Sequence, residues 1–169
     1  LIKSGEALEV AHNIQSVVLD KTGTITSGRM TVEGTYPLPV EGSVARGAAE
    51  LLPREVSVLD FALANVARAT SADANETCKA LLDFYAESQV PVRKPERVVP
   101  FSSAKKWSGA SFAEGAFVMG AAQFVLAPAE FAEVEMRVAE LASTCRVLVV
   151  AHVDGFTEDG EMVGTARPV

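Results

Sequence analysis

The chain has 169 residues, of which 49% are hydrophobic and 22% charged, and this composition excludes a disordered or collagen-like protein. The length fits one globular domain, or one domain and part of another. Lys and Arg number 15 against 22 Asp and Glu, so the formal net charge is −7. Because nucleic acids and anionic membranes are bound by broad basic surfaces, we expect no nucleic-acid partner.

The cysteines, the hydropathy and the chain ends predict the compartment of the protein and its relation to a longer chain. Cys78 and Cys145 lie far apart without a metal-binding spacing, so we expect two ordinary small core residues in a reducing compartment. No stretch has the ~20 apolar residues of a membrane-spanning helix, so we expect the chain itself not to insert into a membrane. It lacks an initiator Met and stops within a strand-and-loop pattern, which predicts a piece excised from a longer protein.

The first predicted elements are two strands and two helices. The run Val17-Val18-Leu19 is typical of a strand buried on both faces, and a new unit is expected after Gly28 with a strand over Met30–Tyr36. One helix is predicted over Val56–Ala69, with an apolar stripe formed by Val56, Leu59, Leu63 and Val66. The next is predicted over about Asn75–Ala86, capped by Asp73 or Asn75, with inward-facing Cys78, Leu81, Leu82 and Tyr85.

The remaining pattern predicts short antiparallel strands and two further helices. A hairpin turn is expected at Ala113-Glu114-Gly115. The longer helix begins at a proline, which suits the first helical position. In chain order these elements are strands at Val98–Phe101, Trp107–Phe112 and Ala116–Met119, helices at Ala121–Leu126 and Pro128–Ala142, and a strand at Arg146–Val153.

The segment Asp20-Lys21-Thr22-Gly23-Thr24-Ile25-Thr26 follows the first predicted strand directly. Reactive groups in open α/β sheets lie just beyond the carboxyl ends of strands, and this is the position of Asp20. A carboxylate there can attack a phosphoryl group when a divalent cation offsets the repulsion between the two anions. Gly23 lets the backbone approach the phosphate, and Thr22 and Thr24 add hydroxyl donors.

This heptapeptide resembles the phosphorylation signature of the P-type (E1–E2) cation-transporting ATPases, of the haloacid-dehalogenase superfamily. The resemblance implies that Asp20 is the phosphorylated nucleophile, with Lys21, Thr22 and Thr24 in the catalytic loop. It also implies that Mg²⁺ is held by the Asp20 carboxylate and the Thr22 backbone carbonyl. Phosphatases of the superfamily carry a second Asp, a general acid and base, where this chain has Thr22. Without that base, an acyl phosphate can persist.

The rest of the chain is similar to the nucleotide-binding domain of the same family. This resemblance implies an α+β fold, a twisted antiparallel sheet flanked by helices, preceded by a piece of the Rossmann-like phosphorylation domain. It assigns residues 1–28 to that piece, residues 29–160 to the nucleotide-binding domain and residues 161–169 to the start of a return linker.

The segment Phe101-Ser102-Ser103-Ala104-Lys105-Lys106 is similar to the one in which the family stacks adenine on a Phe and places a Lys nearby. The resemblance therefore implies nucleotide contacts by Phe101 and Lys106, although Phe101 alone is also compatible with a core position. Met119-Gly120-Ala121 matches the family's Lys-Gly-Ala motif with Met in place of Lys. Gly120 and Ala121 are implied as small residues that let the adenine approach closely, and the Met implies a more apolar pocket floor or weaker nucleotide affinity.

Two further residues are implied in the nucleotide site, each with an ordinary alternative. Arg146 matches an arginine that reaches the phosphates, and Glu76 matches an acidic residue that contacts the adenine amino group. Arg146 is equally compatible with a surface position, and Glu76 with a favourable charge in the first turn of a helix. The basic interval from Arg93 to Lys106 suits an anionic ligand, or a sheet edge protected by charge.

Together the resemblances imply the cytoplasmic ATP-binding part of an integral membrane ATPase, whose partners are ATP and its own phosphorylation, actuator and membrane domains. Neither His12 nor His152 precedes a proline, which disfavours the heavy-metal branch of the family. The family's later magnesium loop would follow Val169, so we expect this chain to bind ATP weakly without hydrolysing it. The alternatives are a stand-alone aspartate-nucleophile phosphatase and a non-enzymatic interaction module of the same fold.

Overall fold

The structure is a computed structural model that describes residues 30–36 and 49–169. The predicted first strand, the unit at residues 1–28 and the candidate catalytic residues Asp20, Lys21, Thr22 and Thr24 lie outside the described residues. The expectations for them, including the Mg²⁺ assignment, therefore stay predictions.

Seven strands lie in the described part of the chain. They are β1 (Arg97–Val99), β2 (Trp107–Phe112), β3 (Gly115–Gly120), β4 (Val149–Val153), β5 (Gly155–Phe156), β6 (Met162–Val163) and β7 (Arg167–Pro168). Five of them form one antiparallel sheet in the order β1-β2-β3-β4-β7, and β5 pairs with β6 in a two-stranded ribbon. The predicted antiparallel sheet is confirmed.

The α-helices that lie wholly within the same residues are α1 (Val58–Ala69), α2 (Glu76–Phe84), α3 (Ala122–Val125) and α4 (Pro128–Ala142). Each of the first two helices, α1 and α2, begins directly after a residue whose side chain caps its free backbone amides. The Ser57 hydroxyl accepts a hydrogen bond from the Asp60 amide, and the Asn75 side chain accepts one from the Cys78 amide. Asn75 is thus the N-cap of α2, one of the two predicted candidates, whereas α1 begins two residues later than predicted.

Helices cover both faces of the sheet, so the apolar side chains form two clusters. On one face α1 and α2 pack on residues such as Phe112, Phe117 and Val150. On the other face α3 and α4 pack on residues such as Val118 and Ala151. Alternate residues along β3 and β4 belong to opposite clusters, as expected for a sheet covered on both sides.

A hydrogen bond between the buried Tyr85 and the half-buried Asp60 joins the end of α2 to α1. The Tyr85 hydroxyl donates to the Asp60 carboxylate at 2.7 Å, and the Ser57 hydroxyl donates to the other oxygen of the same carboxylate at 2.6 Å. Burial, together with the neighbouring Asp60 carboxylate, raises the pKa of Tyr85. The phenol therefore stays protonated at physiological pH and remains a donor between the two helices.

Several predicted element boundaries are wrong. Residues Met30–Tyr36 form no strand; the segment is irregular, and its Val32 packs against the α1/α2 cluster. The β1 strand ends before Phe101, and β4 begins at Val149 rather than Arg146. Strand extent depends on pairing as well as on the apolar pattern: the Arg97–Val99 segment pairs with Ser111, Ala110 and Gly109 and goes no further.

The last nine residues lie in the β-structure rather than beside it. Residues 162–163 form β6, and residues 167–168 extend the main sheet by pairing with Ala151 and His152. Val169 is buried. The assignment of residues 161–169 to the start of a linker stays a prediction about a longer protein; here the segment is an edge of the sheet.

Both cysteines are free; Cys78 is buried in the core and Cys145 is half-buried. His152 packs edge-on against the Phe117 ring, with the ring centroids 5.4 Å apart, whereas His12 lies outside the described residues. None of the helices in residues 30–36 and 49–169 has the length and apolar character needed to span a membrane.

Candidate functional site

A cavity of about 390 Å³ lies where one end of the sheet meets the facing ends of α1 and α2. Its walls come from the end of α1, the start of α2, β2, β3 and the loops before β2 and β4. Five of the six residues predicted for the nucleotide site line it, namely Phe101, Lys106, Gly120, Ala121 and Arg146. We call it the Phe101 cavity. The structure thus brings together residues that lie up to 45 positions apart in the chain.

Phe101 presents its ring to the cavity rather than to the core. It lies in the loop after β1, and 42% of its surface is exposed. A core phenylalanine would be almost fully covered, so the structure excludes that alternative. An exposed ring at a cavity wall is available for stacking on a flat aromatic ligand.

Lys106 is held in place by its backbone. It has a φ of 60°, in the left-handed region that a non-glycine residue adopts only at a cost of roughly 1–2 kcal/mol. Its amide donates to the Ser102 carbonyl at 2.7 Å, and its carbonyl accepts from the Ala121 amide at 3.2 Å. Such strain recurs at ligand-binding positions, and these bonds join the Phe101 loop to the end of β3.

Gly120 is required by the packing of the two central strands. A Cβ at this position would lie 2.5 Å from the Trp107 Cβ and 2.6 Å from the Lys106 carbonyl oxygen. The sequence resemblance explains the glycine by close approach of a ligand. The structure adds a second cause, because any side chain here would displace the backbone that positions Lys106.

Arg146 and Glu76 end up in different surroundings. The Arg146 Nη1 donates to the Thr77 hydroxyl at 3.3 Å, which connects the loop before β4 to the first turn of α2. The Glu76 carboxylate instead pairs with Lys79 Nζ at 2.8 Å, is exposed, and is not part of the cavity wall. Glu76 is thus the one of the six predicted residues that does not line the cavity, although its chain neighbours Asn75 and Thr77 do.

Most of the predicted basic interval is used within the protein. Arg93 forms an ion pair with the buried Glu114 at 2.6 Å, and Lys105 forms one with Glu161 at 2.7 Å. The strand within this basic interval, β1, lies at the edge of the sheet, as expected if the basic residues protect a sheet edge by their charge. Lys106 is the cation of this interval that lines the cavity.

The cavity also contains residues that the sequence analysis did not assign to it. These are Thr70, Asn75, Thr77, Cys78, Ser108, Val147 and Leu148. Single Thr, Cys and Ser residues carry no distinguishing pattern, so little in the sequence could have identified them. Burial raises the pKa of the Cys78 thiol, and its Sγ lies 3.4 Å from the Ala67 carbonyl. It is thus a neutral wall residue rather than a nucleophile.

Met119 forms part of the buried end of the cavity. It is 6% exposed, lies on β3 opposite Ser108 and belongs to the apolar cluster under α1 and α2. The cations Lys106 and Arg146 line the same cavity and are exposed; we call these exposed residues its rim. The cavity therefore combines an uncharged interior with a basic rim. No group of three or more His, Cys, Asp or Glu suited to a metal ion occurs among the residues that the structure describes.

Comparison with known proteins places the chain beside transport ATPases. No protein-family model matches it. It is 32% identical over 99% of its length to the calcium-transporting ATPase CtpE of Mycolicibacterium smegmatis, and 32% identical over its whole length to CtpE of Mycobacterium bovis. A copper-transporting ATPase of Mus musculus is 35% identical over 49% of the chain. The chain spans 19% of the length of each CtpE protein.

Proposed function

We propose that the chain is the cytoplasmic ATP-binding part of a P-type cation-transporting ATPase. The main observation that supports this proposal is the Phe101 cavity, which is lined by an exposed aromatic ring, buried uncharged residues and two cations. Adenine needs a flat apolar partner, and the triphosphate needs positive charge. Similarity to CtpE along the whole chain supports the same function from an independent direction.

The similarity also bears on the class of cation. The relatives that match the chain from end to end are named calcium-transporting, whereas the mouse copper transporter matches half of it. Together with the missing His-Pro pair, this favours an alkali or alkaline-earth cation for the whole protein.

In the whole protein we propose that Asp20 accepts the γ-phosphoryl group of ATP. A carboxylate oxygen forms the new bond to phosphorus, the bond from phosphorus to the β,γ-bridging oxygen breaks, and ADP leaves. Mg²⁺, held by Asp20 and the Thr22 carbonyl, would reduce the charge repulsion in this step. The Phe101 cavity positions the nucleotide, and the transfer itself needs the neighbouring domains.

Replacing Phe101 with Ala tests the nucleotide site. We expect the Phe101→Ala variant of this chain to bind ATP about tenfold more weakly, because losing one base–aromatic stack costs ~1–3 kcal/mol and ~1.4 kcal/mol is a factor of ten. Isothermal titration calorimetry, or NMR titration of the backbone amides around the cavity, measures the affinity.

Phe124→Ala is the matched control. Phe124 is 45% exposed, close to the value for Phe101, but does not line the cavity. We expect this variant to bind ATP like the unsubstituted chain. Equal affinities for all three proteins would contradict adenine stacking on Phe101. Failure of the unsubstituted chain to bind ATP at all would instead favour the interaction-module alternative.

Asp20 is tested in the full-length protein. Incubation with γ-labelled ATP is expected to label the protein at a hydroxylamine-sensitive acyl phosphate, and Asp20→Asn is expected to abolish this labelling, because the amide is not a nucleophile. The variant should bind ATP at least as tightly as the unsubstituted protein, since it lacks the carboxylate charge that repels the γ-phosphate. Equal labelling of the variant would rule out Asp20 as the nucleophile. Asp20-dependent ATP hydrolysis by the 169-residue chain alone would support the phosphatase alternative.

A further inference from the structure

One polar group in the Phe101 cavity has no use in the protein itself. Ser108 on β2 is 3% exposed and lines the cavity. Its hydroxyl makes no hydrogen bond or other polar contact with any residue that the structure describes. The hydroxyl oxygen is not among the fully enclosed polar atoms that lack a partner, so it keeps access to the cavity. It is therefore free to donate or accept a hydrogen bond with a ligand there.

The neighbouring hydroxyls of the cavity are already engaged. Thr70 Oγ1 donates to the Val66 carbonyl at 2.9 Å, and Thr77 Oγ1 accepts from Arg146 at 3.3 Å. Both hydroxyls are therefore engaged within the protein. Ser108 is different, because its hydroxyl lies in the wall without a partner and is accessible to a ligand.

The position of Ser108 indicates which part of a nucleotide it meets. It lies directly across the sheet from Met119, and both side chains are on the face of the sheet that carries α1 and α2. The cations that suit a triphosphate lie at the exposed rim. Because burying a phosphate charge beside a thioether is costly, the uncharged base belongs at the Ser108 end.

We propose that the Ser108 hydroxyl hydrogen-bonds the polar edge of the purine and is a specificity-determining residue of this site. The inference rests on the proposed ATP binding and adds the group that distinguishes the base. A hydroxyl can both donate and accept, so it suits an adenine edge with one amino donor and ring-nitrogen acceptors. Guanine brings a carbonyl, a ring N–H and an amino group, and a single hydroxyl leaves more of these groups unpaired.

The test uses the 169-residue chain and three ligands: ATP, GTP and inorganic tripolyphosphate. The variants are Ser108→Ala, Ser108→Cys and the control Ser111→Ala. Ser111 lies on the same strand three residues away, so its side chain is on the opposite face of the sheet, and it does not line the cavity. Dissociation constants come from calorimetry, and the far-UV circular dichroism and unfolding midpoint of each variant report its fold.

We expect the unsubstituted chain to bind ATP more tightly than GTP. Ser108→Ala is expected to weaken ATP binding about three- to tenfold, the effect of one hydrogen bond. The ratio of the dissociation constant for GTP to that for ATP should therefore fall. The affinity of this variant for tripolyphosphate should not change, because that ligand has no base. Ser108→Cys, which nearly keeps the volume, should also lose affinity for ATP, and Ser111→Ala should change nothing.

Two results would overturn the inference. One is an ATP affinity of Ser108→Ala within twofold of the unsubstituted chain, and the other is an equal loss for ATP and tripolyphosphate, which would indicate a general disturbance of the cavity. These outcomes leave ATP binding by the unsubstituted chain intact. If that chain binds no ATP, the proposed function fails, and the inference fails with it.

Discussion

Phe61→Ala should lower the free energy of unfolding by about 3–5 kcal/mol, the usual cost of truncating a buried Phe. Phe61 on α1 is fully buried, and its ring packs edge-on against Phe112 and Phe117, at centroid distances of 5.7 and 6.0 Å. These contacts attach α1 to the two central strands. A domain of this size has a total stability of roughly 5–15 kcal/mol, so the loss is a large fraction of the whole.

The measurement is urea unfolding followed by circular dichroism, with Phe84→Ala as the control. Phe84 is 47% exposed at the end of α2, where its ring contacts Tyr85, so its truncation should cost much less. A loss below about 1 kcal/mol for Phe61→Ala, far under the range for buried Phe residues, would show that α1 does not pack on the sheet as described. Because α1 ends beside Thr70 in the cavity wall, the variant should also bind ATP more weakly at 37 °C.

Gly120→Val should lower the free energy of unfolding by about 3 kcal/mol, at the upper end of the usual cost of overpacking. The added Cβ would overlap the Trp107 Cβ, the Lys106 carbonyl oxygen and the Trp107 Cα. Two of these three atoms belong to the backbone, so a change of rotamer cannot relieve the overlap. The strands must separate, and the bond between Ala121 and Lys106 at 3.2 Å is expected to break.

The variant separates two explanations of the glycine. If the backbone packing requires it, unfolding midpoints fall for Gly120→Ala and fall further for Gly120→Val, with or without nucleotide. The control is Gly34→Val, because Gly34 is exposed and a Cβ there would approach only the end of the Tyr36 side chain, at 3.2 Å. An unchanged midpoint for Gly120→Val, together with weaker ATP binding, would mean that the glycine serves the ligand alone.

The function of the cavity depends on how charge is distributed along it. The protein is acidic, with a formal net charge of −7, and most of its predicted basic interval is bound to acidic or carbonyl groups elsewhere. Lys106 and Arg146 at the rim are therefore local positive charges on an acidic molecule. Such a rim attracts a triphosphate, and its effect should weaken with added salt.

Local patterns in the sequence were sufficient for the elements whose signals are self-contained. Pro128 at the first helical position, followed by apolar residues at helical spacing, predicted both bounds of α4 correctly; these residues are Phe131, Val134, Val138 and Leu141. The hairpin turn was predicted at Ala113-Glu114-Gly115 because two apolar runs lie close together in the chain, and the structure has it at residues 113–114, with Gly115 already in β3. These features depend on residues within one or two turns of each other, so no distant contact could change them.

Strand ends, the edges of the sheet and the full cavity wall were decided by the tertiary structure. The Met30–Tyr36 segment has strand-like residues but no strand pairing, and Arg167–Pro168, which has a weak pattern, is a strand because β4 lies beside it. A resemblance to known motifs predicted Phe101 and Lys106, whereas Ser108 became a candidate only when the structure placed its hydroxyl in the cavity. The physical reason is that strand pairing, and whether a polar group finds a hydrogen-bond partner, depend on which residues are close in the folded structure. The order of residues along the chain does not specify this directly.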